Sequence, residues 1–510
     1  MTGNLFERFA ASIAEPGRTA IETPDGGRHS YADLVVLSGQ LANALRARGV
    51  EPGDRVAVQV EKSVPALALY FAAARAGAVY LPLNTAYTLA ELEYFVGDAE
   101  PKLIVCDPAK RDGVAKLGAQ FKTAVETLDA GGRGSLMDLA AAQPDAFDTV
   151  RRDLKDIAAI LYTSGTTGRS KGAMITHENL VSNALTLIDY WRFTKDDVLL
   201  HALPIFHVHG LFVASNVALF SGASIIFLQK FDANEVMRHM PRATAMMGVP
   251  TFYVRLLQQQ DLDRGTTQHM RLFVSGSAPL LADTHREWEA RTGHAILERY
   301  GMTETGMNTS NPYDGDRVAG AVGFPLPGVV MRATDPETGE ELPVGEIGML
   351  EVRGPNVFRG YWRMPEKTEA EFRKDGFFIT GDLGKIDERG YVHIVGRGKD
   401  LIITGGFNVY PKEIESEIDA ISGVVESAVI GVPHPDFGEG VTAVVVAEKN
   451  AKLDEKQVLA AIENRLAKFK LPKRVILVDD LPRNTMGKVQ KNILRDTYET
   501  LYTAKARASG

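Results

Sequence analysis

The sequence predicts an α/β protein, a large domain built on mostly parallel sheet followed by a small α+β domain. Three observations predict it. Residues 1 to about 395 alternate short apolar runs with helical patterns, the signature of an open α/β sheet. Near Pro336 the texture changes, and Gly339, Gly345, Gly348, Gly354 and Gly360 punctuate short β-prone runs. Finally, Gly396-Arg397-Gly398-Lys399-Asp400 is charged, glycine-flanked and followed by a new pattern. The expected organisation is a first domain over 1–395, a joint at 396–400 and a second domain over 401–510.

The elements follow in order. Residues 56–60 read as a strand, 65–76 as a helix and 77–82 as another strand. Further buried strands are expected at 103–106, 158–161, 224–227 and 272–275, each a short apolar run. Met349-Leu350-Glu351-Val352-Arg353 belongs to a β-rich subdomain with tight turns. After the joint come a helix over 411–421, strands over 426–432 and 441–447, a helix over 454–469 and a strand over 475–479.

Composition narrows the function classes. A chain of 510 residues is long enough for more than one domain. Its 57 Lys and Arg against 65 Asp and Glu give a net charge of −8, which argues against a nucleic-acid partner. One cysteine, Cys106, excludes an intramolecular disulfide and a cysteine metal cluster. The most membrane-like stretch, 66–83, is interrupted by Arg75, Gly77 and Pro82, so it reads as a helix and a buried strand. No signal core opens the chain, and the expected address is the cytoplasm.

The densest motif is Thr163-Ser164-Gly165-Thr166-Thr167-Gly168-Arg169-Ser170-Lys171-Gly172. A glycine-rich turn after a strand can aim backbone N–H groups at phosphate, with hydroxyls and a lysine adding contacts. It is not a Walker A loop, because Gly168 is followed by Arg169. Tyr300-Gly301-Met302-Thr303-Glu304 and Phe378-Ile379-Thr380-Gly381-Asp382 each place a carboxylate at a glycine turn. Arg397 follows fifteen residues after Asp382, and Lys488 lies just beyond Gly487. Each motif alone is weak.

In this order and spacing they resemble the adenylate-forming superfamily of acyl-CoA synthetases, peptide-synthetase adenylation domains and beetle luciferases. The resemblance covers essentially the whole chain. It implies a first domain of two doubly wound sheets plus a distorted β-barrel, and a small mobile second domain with the active site between them. It implies an acid–thiol ligase that uses ATP, Mg²⁺ and coenzyme A. A carboxylate attacks the α-phosphate, pyrophosphate leaves, and a thiol then displaces AMP. By resemblance, Thr163, Ser164, Gly165, Thr166, Thr167, Gly168 and Lys171 embrace the β- and γ-phosphates. Thr303 contacts the α-phosphate and Glu304 holds Mg²⁺. Ser277, Ala278 and Pro279, with Glu298, Arg299 and Tyr300, flank the adenine. Asp382 receives the ribose hydroxyls, supported by Arg397. Lys488 bridges carboxylate and α-phosphate during adenylation, and it can be a target of a lysine acetyltransferase and deacetylase. The small domain then turns about Lys399, bringing Gly405 and Gly406 against the pantetheine arm, where a Cβ would clash.

The string 298–311, continuing through 320–328, resembles malonyl-CoA synthetases. Malonate needs a cation for its second carboxylate, preferably a bidentate arginine. Arg255 and Arg286 are the expected readers. His207, in a segment matching the family's aromatic gate, helps them, and the space beside Met302 decides whether methylmalonate fits. A short- or medium-chain acyl-CoA synthetase, or transfer to a carrier-protein thiol, is also compatible with the motifs. A non-catalytic sensor of nucleotide or acyl-CoA is the alternative of another class, disfavoured because Glu304, Asp382, Arg397 and Lys488 are all present.

Overall fold

The computed structural model describes residues 3–163, 170–404, 407–484 and 487–502, apart from the side chain of Asn408. The chain forms two compact units, Met1–Val330 with Val352–Phe378, and Met331–Glu351 with Ile379–Gly510.

Among the described residues, the first unit carries two large sheets. One runs edge to edge as Phe324–Pro325, Gly306–Ser310, Leu297–Met302, Leu272–Ser275, Ala245–Gly248, Val198–His201, Ser224–Phe227, Thr19–Glu22 and Arg28–Ser30. Its central pairs are parallel and its ends are antiparallel. The other runs Ala124–Thr127, Leu103–Cys106, Arg55–Gln59, Val79–Pro82, Ile157–Thr163 and Lys171–Thr176. It is parallel except for its last pair. Strands such as Leu103–Cys106 and Leu272–Ser275 are buried along their whole length, which is why they read as continuous apolar runs without alternation.

The membrane-like stretch is an interior helix, Val64–Arg75. Ser63 caps it, accepting from the Ala66 N–H, with Pro65 in the first turn. It is apolar all round because it is buried all round. Its buried Arg75 donates to the Val35 and Phe147 carbonyls at 2.8 Å each and to Ser38 Oγ at 3.0 Å. No helix among the described residues is long and apolar enough to cross a membrane.

The second unit holds strands of a four-stranded sheet, Val330–Thr334, Gly348–Arg353, Phe378–Ile386 and Val392–Arg397, counted among the described residues. Among the described residues, a five-stranded sheet is built around the long antiparallel pair Val424–His434 and Gly438–Ala447. Ile402, Val409, Ile414, Ile418, Val429, Val441 and Val458 form the core on one of its faces. The expected joint is the short 3₁₀ turn Gly398–Asp400, the link from one sheet to the other. The helix expected over 454–469 stops at Ile462. Turns follow in which the Arg465 and Leu466 N–H groups return to the Ile462 carbonyl. Asn464, a turn-favouring residue, sits at that break.

Within the first unit one buried amine joins the two sheets. Lys62, just past Arg55–Gln59, donates to the His201 and Leu203 carbonyls at 2.9 Å each. Its Nζ lies 3.0 Å from His201 Nδ1 and 4.2 Å from the Phe227 ring centroid. Lys62→Met would fill the space yet leave these acceptors without a donor, at about 1–3 kcal/mol for each buried group. The expected result is a calorimetric melting temperature several degrees below wild type. An unchanged melting temperature would assign the amine no structural weight.

Candidate active site

In the first unit the strand Leu297–Met302 ends in a turn and returns as Gly306–Ser310. The turn presents Thr303 and Glu304. It is tight because Gly301 has no side chain: a Cβ there would lie 2.0 Å from the Gly306 carbonyl oxygen. Glu304 is buried, and its Oε1 accepts from the Tyr361 hydroxyl at 3.0 Å. Thr303 and Met302 are half-buried.

Thr163 and Lys171 are direct antiparallel partners, so the glycine-rich segment starts and ends at one place on the sheet. Ser164, Gly165, Thr166, Thr167 and Gly168 lie outside the described residues, as do Gly405 and Gly406. Lys171 Nζ is 3.1 Å from Glu371 Oε1 and 4.1 Å from the Tyr361 ring centroid.

The most informative residue is Arg299. It sits in the middle of Leu297–Met302 and is only 3% exposed. Its Nε and Nη2 have no hydrogen-bond partner among the described residues. Gly276 lets the backbone close over it, since a Cβ there would lie 2.4 Å from the guanidinium carbon. Next to it Ser277 adopts a left-handed φ of 70°, a strained geometry for a residue with a side chain. His209 is buried, its Nδ1 3.3 Å from Ser277 Oγ, and its Nε2 lacks a partner among the described residues. Burial first, then the Arg299 charge, pushes His207 down to about 4 and His209 well below the usual histidine range. Both rings are therefore neutral at pH 7. Burial lowers Arg299 to about 9, which leaves it charged there. A buried cation with no ion pair among the described residues is expensive to keep.

The two arginines expected to read the acyl group are both exposed. Arg255 is exposed on the helix Pro250–Leu257. Arg286 is exposed on Ala282–Thr292 and paired with Asp283 one turn away. Helical spacing in the sequence does not say which face of each helix meets the core. In the sequence Arg299 stands beside a second charge, Glu298, in the same strand, so it reads as part of the adenine segment. In that segment Ala278 is half-buried, Pro279 is exposed and Tyr300 is half-buried. The Glu298 carboxylate turns inward, accepting from the Gly320 N–H at 3.0 Å and lying 3.3 Å from His285 Nδ1.

In the second unit Asp382 and Arg397 stand directly opposite each other across an antiparallel pair. Arg397 Nε is 2.8 Å from Asp382 Oδ1. Lys399 is exposed, and its neighbour Asp400 is ion-paired with Arg495. Lys488 is half-buried, with its backbone N–H on Asn484 Oδ1 at 2.9 Å. Burial, then the Arg397 charge, lowers its ammonium to about 8, with Asp382 and Asp400 opposing.

The model of the AMP-binding enzyme family matches residues 7–362, and that of the AMP-binding enzyme C-terminal domain matches 413–488. The chain belongs to the AMP-binding enzyme family. It is 34% identical to a malonate–CoA ligase of Arabidopsis thaliana, over 98% of this chain and 90% of that protein. It is 36% identical to a feruloyl-CoA synthase of an Amycolatopsis species, over 94% and 96%. The crystal structure of ATP-bound MatB from Rhodopseudomonas palustris superposes with a TM-score of 0.97 at 70% identity, over 98% of this chain and 100% of that one. The fold is thus the adenylate-forming one that the motif order implied.

The lowered pKa of Lys488 is directly measurable. Competitive acylation of lysines, read by mass spectrometry across pH, should place the midpoint of Lys488 near pH 8. Ordinary exposed lysines stay near ~10.4. A midpoint for Lys488 in that ordinary range would contradict the geometry described.

Proposed function

We propose that this member of the family is an ATP-dependent malonyl-CoA synthetase. It joins malonate to coenzyme A through a malonyl-adenylate and releases AMP and pyrophosphate. The observation that carries the substrate is Arg299, a buried cation with open donors beside two neutral histidines. A fatty acyl chain would put methylenes against that charge. The distal carboxylate of malonate would supply the missing anion, in the two-pronged geometry a guanidinium favours. The malonate–CoA ligase among the relatives supports the same reading.

The chemistry has two steps. One malonate oxygen attacks the α-phosphorus, forming a P–O bond as the bond to pyrophosphate breaks. The thiol of coenzyme A then attacks the acyl carbon, AMP leaves with the oxygen, and the thiol proton goes to solvent. Crowded negative charge opposes the first step, so preorganised cations and donors lower its barrier. Lys171 takes the β- and γ-phosphates and Thr303 the α-phosphate. Asp382, held by Arg397, accepts from the ribose. Lys488 bridges the attacking carboxylate and the α-phosphate. His207 lines the acyl pocket, where a neutral ring donates a hydrogen bond without competing for the carboxylate as a charge.

Among the described residues no group of three or more histidines, cysteines or carboxylates could hold a metal. A single buried carboxylate fits Mg²⁺, which keeps its waters and binds through one or two carboxylates plus substrate phosphates. Glu304 would hold it, and the bound ion would supply positive charge at the phosphate oxygens.

Lys399 is the proposed hinge, supported by its place in the turn that links two sheets. Rotation there would retire Lys488 and bring Gly405 and Gly406 to the pantetheine. Acetylation of Lys488 would remove its charge and stop the first step.

A panel of carboxylates with ATP and coenzyme A, read by AMP release, should place malonate ahead of acetate, propionate and octanoate, with methylmalonate next. A lead for propionate or octanoate would refute the malonate reading. Arg299→Leu should lower the malonate-to-propionate ratio of kcat/KM by roughly 30- to several thousand-fold. That follows from about 2–5 kcal/mol for a broken buried charge pair at tenfold per 1.4 kcal/mol. Arg255→Leu and Arg286→Leu should keep the ratio.

Lys488→Ala should slow malonyl-adenylate formation by about 10²–10³-fold, as for loss of one preorganised donor. It should spare thioester formation from supplied adenylate. Equal loss in both steps would rule out a lysine that serves only the first.

A further inference from the structure

Tyr361 sits between two carboxylates. Its hydroxyl is 2.7 Å from Glu371 Oε2 and 3.0 Å from Glu304 Oε1. A phenol has one proton to donate, so it can serve only one of them at a time. Glu371 also holds two ammonium groups, Lys171 at 3.1 Å and Lys367 at 2.8 Å. The phenol has little freedom to move away. Tyr361 is 2% exposed and pairs through its backbone with Ala173 on the strand that carries Lys171. Its N–H donates to Thr368 Oγ1 at 2.9 Å, and the next N–H, of Trp362, donates to the Gly172 carbonyl at 2.7 Å. The Lys171 amine rests over its ring.

We infer that Tyr361 and Glu371 are positioning residues that couple the metal-holding carboxylate of Glu304 to the phosphate-binding amine of Lys171, through the one phenol proton the two carboxylates share. The inference rests on the roles of Glu304 and Lys171 given above. While Lys171 and Lys367 neutralise Glu371, the proton serves Glu304. A divalent cation held by Glu304 would take the place of that hydrogen bond, and the proton would stay on the phenol. The hydroxyl then turns about its C–O bond toward Glu371, and no heavy atom moves. Glu371, satisfied by the phenol and Lys367, releases Lys171 to the triphosphate. Metal and triphosphate therefore favour each other beyond their direct contact, and by linkage the effect is reciprocal.

The test is calorimetric binding of ATP in Mg²⁺ and in EDTA, with no carboxylate substrate present. The observable is the ratio of the two dissociation constants, compared between wild type and variant so that Mg²⁺–ATP complexation in solution cancels. Tyr361→Phe removes only the hydroxyl and should reduce the Mg²⁺ dependence roughly tenfold, within the usual span of coupling between sites. Glu371→Gln should reduce the same Mg²⁺ dependence from the metal-free arm, tightening ATP binding in EDTA by about 5-fold because Lys171 is no longer held. It also stands in if Tyr361→Phe melts early. A wild-type Mg²⁺ ratio in Tyr361→Phe, or unchanged metal-free affinity in Glu371→Gln, would overturn the coupling. Lys171→Ala separates the premise: weakened Mg²⁺–ATP binding keeps Lys171 as the phosphate ligand, whereas wild-type binding removes that role and the coupling with it.

Discussion

Holding positive charge ready for a polyanion is the constraint on which the rest of this structure depends. A cation in a low-dielectric pocket costs free energy unless something neutralises it. A cation bound too firmly to a protein carboxylate is lost to the substrate. The chain meets this conflict in different ways. Arg299 is buried with two donor nitrogens unpaired among the described residues. Lys171 rests on Glu371 and on an aromatic face. Arg397 stands on Asp382. The strained Ser277 and the side-chain-free Gly276 beside Arg299 are local costs that the surrounding sheet absorbs, as strain near functional sites generally is.

The fold explains why these residues can be placed so firmly. Leu297–Met302 is a strand of the nine-stranded sheet, with Leu272–Ser275 on one side and Gly306–Ser310 on the other. Arg299 therefore has a fixed backbone register. Lys171 begins a strand tied to Ile157–Thr163. Ligands of open α/β sheets bind at the carboxyl ends of the strands. Thr163, Ser275 and Met302 each end a strand of this kind, and the proposed ligands follow them directly.

Sequence reading and structure parted where phase and contact mattered. Strands at 103–106, 224–227 and 272–275 were legible to the residue, because burial on both faces, complete except at Ser224, leaves a nearly uninterrupted apolar run. The helix after Asp454 was overdrawn by seven residues relative to its observed end at Ile462, since apolar spacing continues through turns that no local signal but Asn464 marks. The sequence pointed to Arg255 and Arg286 and left Arg299 in the adenine segment. Burial separated them, and burial is a property of the whole fold.

The sequence by itself determined the family, the order of elements and the kinds of groups the chemistry needs. Those are written locally, as glycines at turns, hydroxyls and a lysine beside them, and carboxylates at fixed offsets. The tertiary structure alone decided that Arg299 is buried with two donor nitrogens unpaired among the described residues. It alone set Tyr361 between Glu304 and Glu371, residues 57 and 10 positions away in the chain. Such facts depend on which side chains meet across sheets and helices. No single-chain pattern encodes them, because contact between distant residues is fixed only when the core packs.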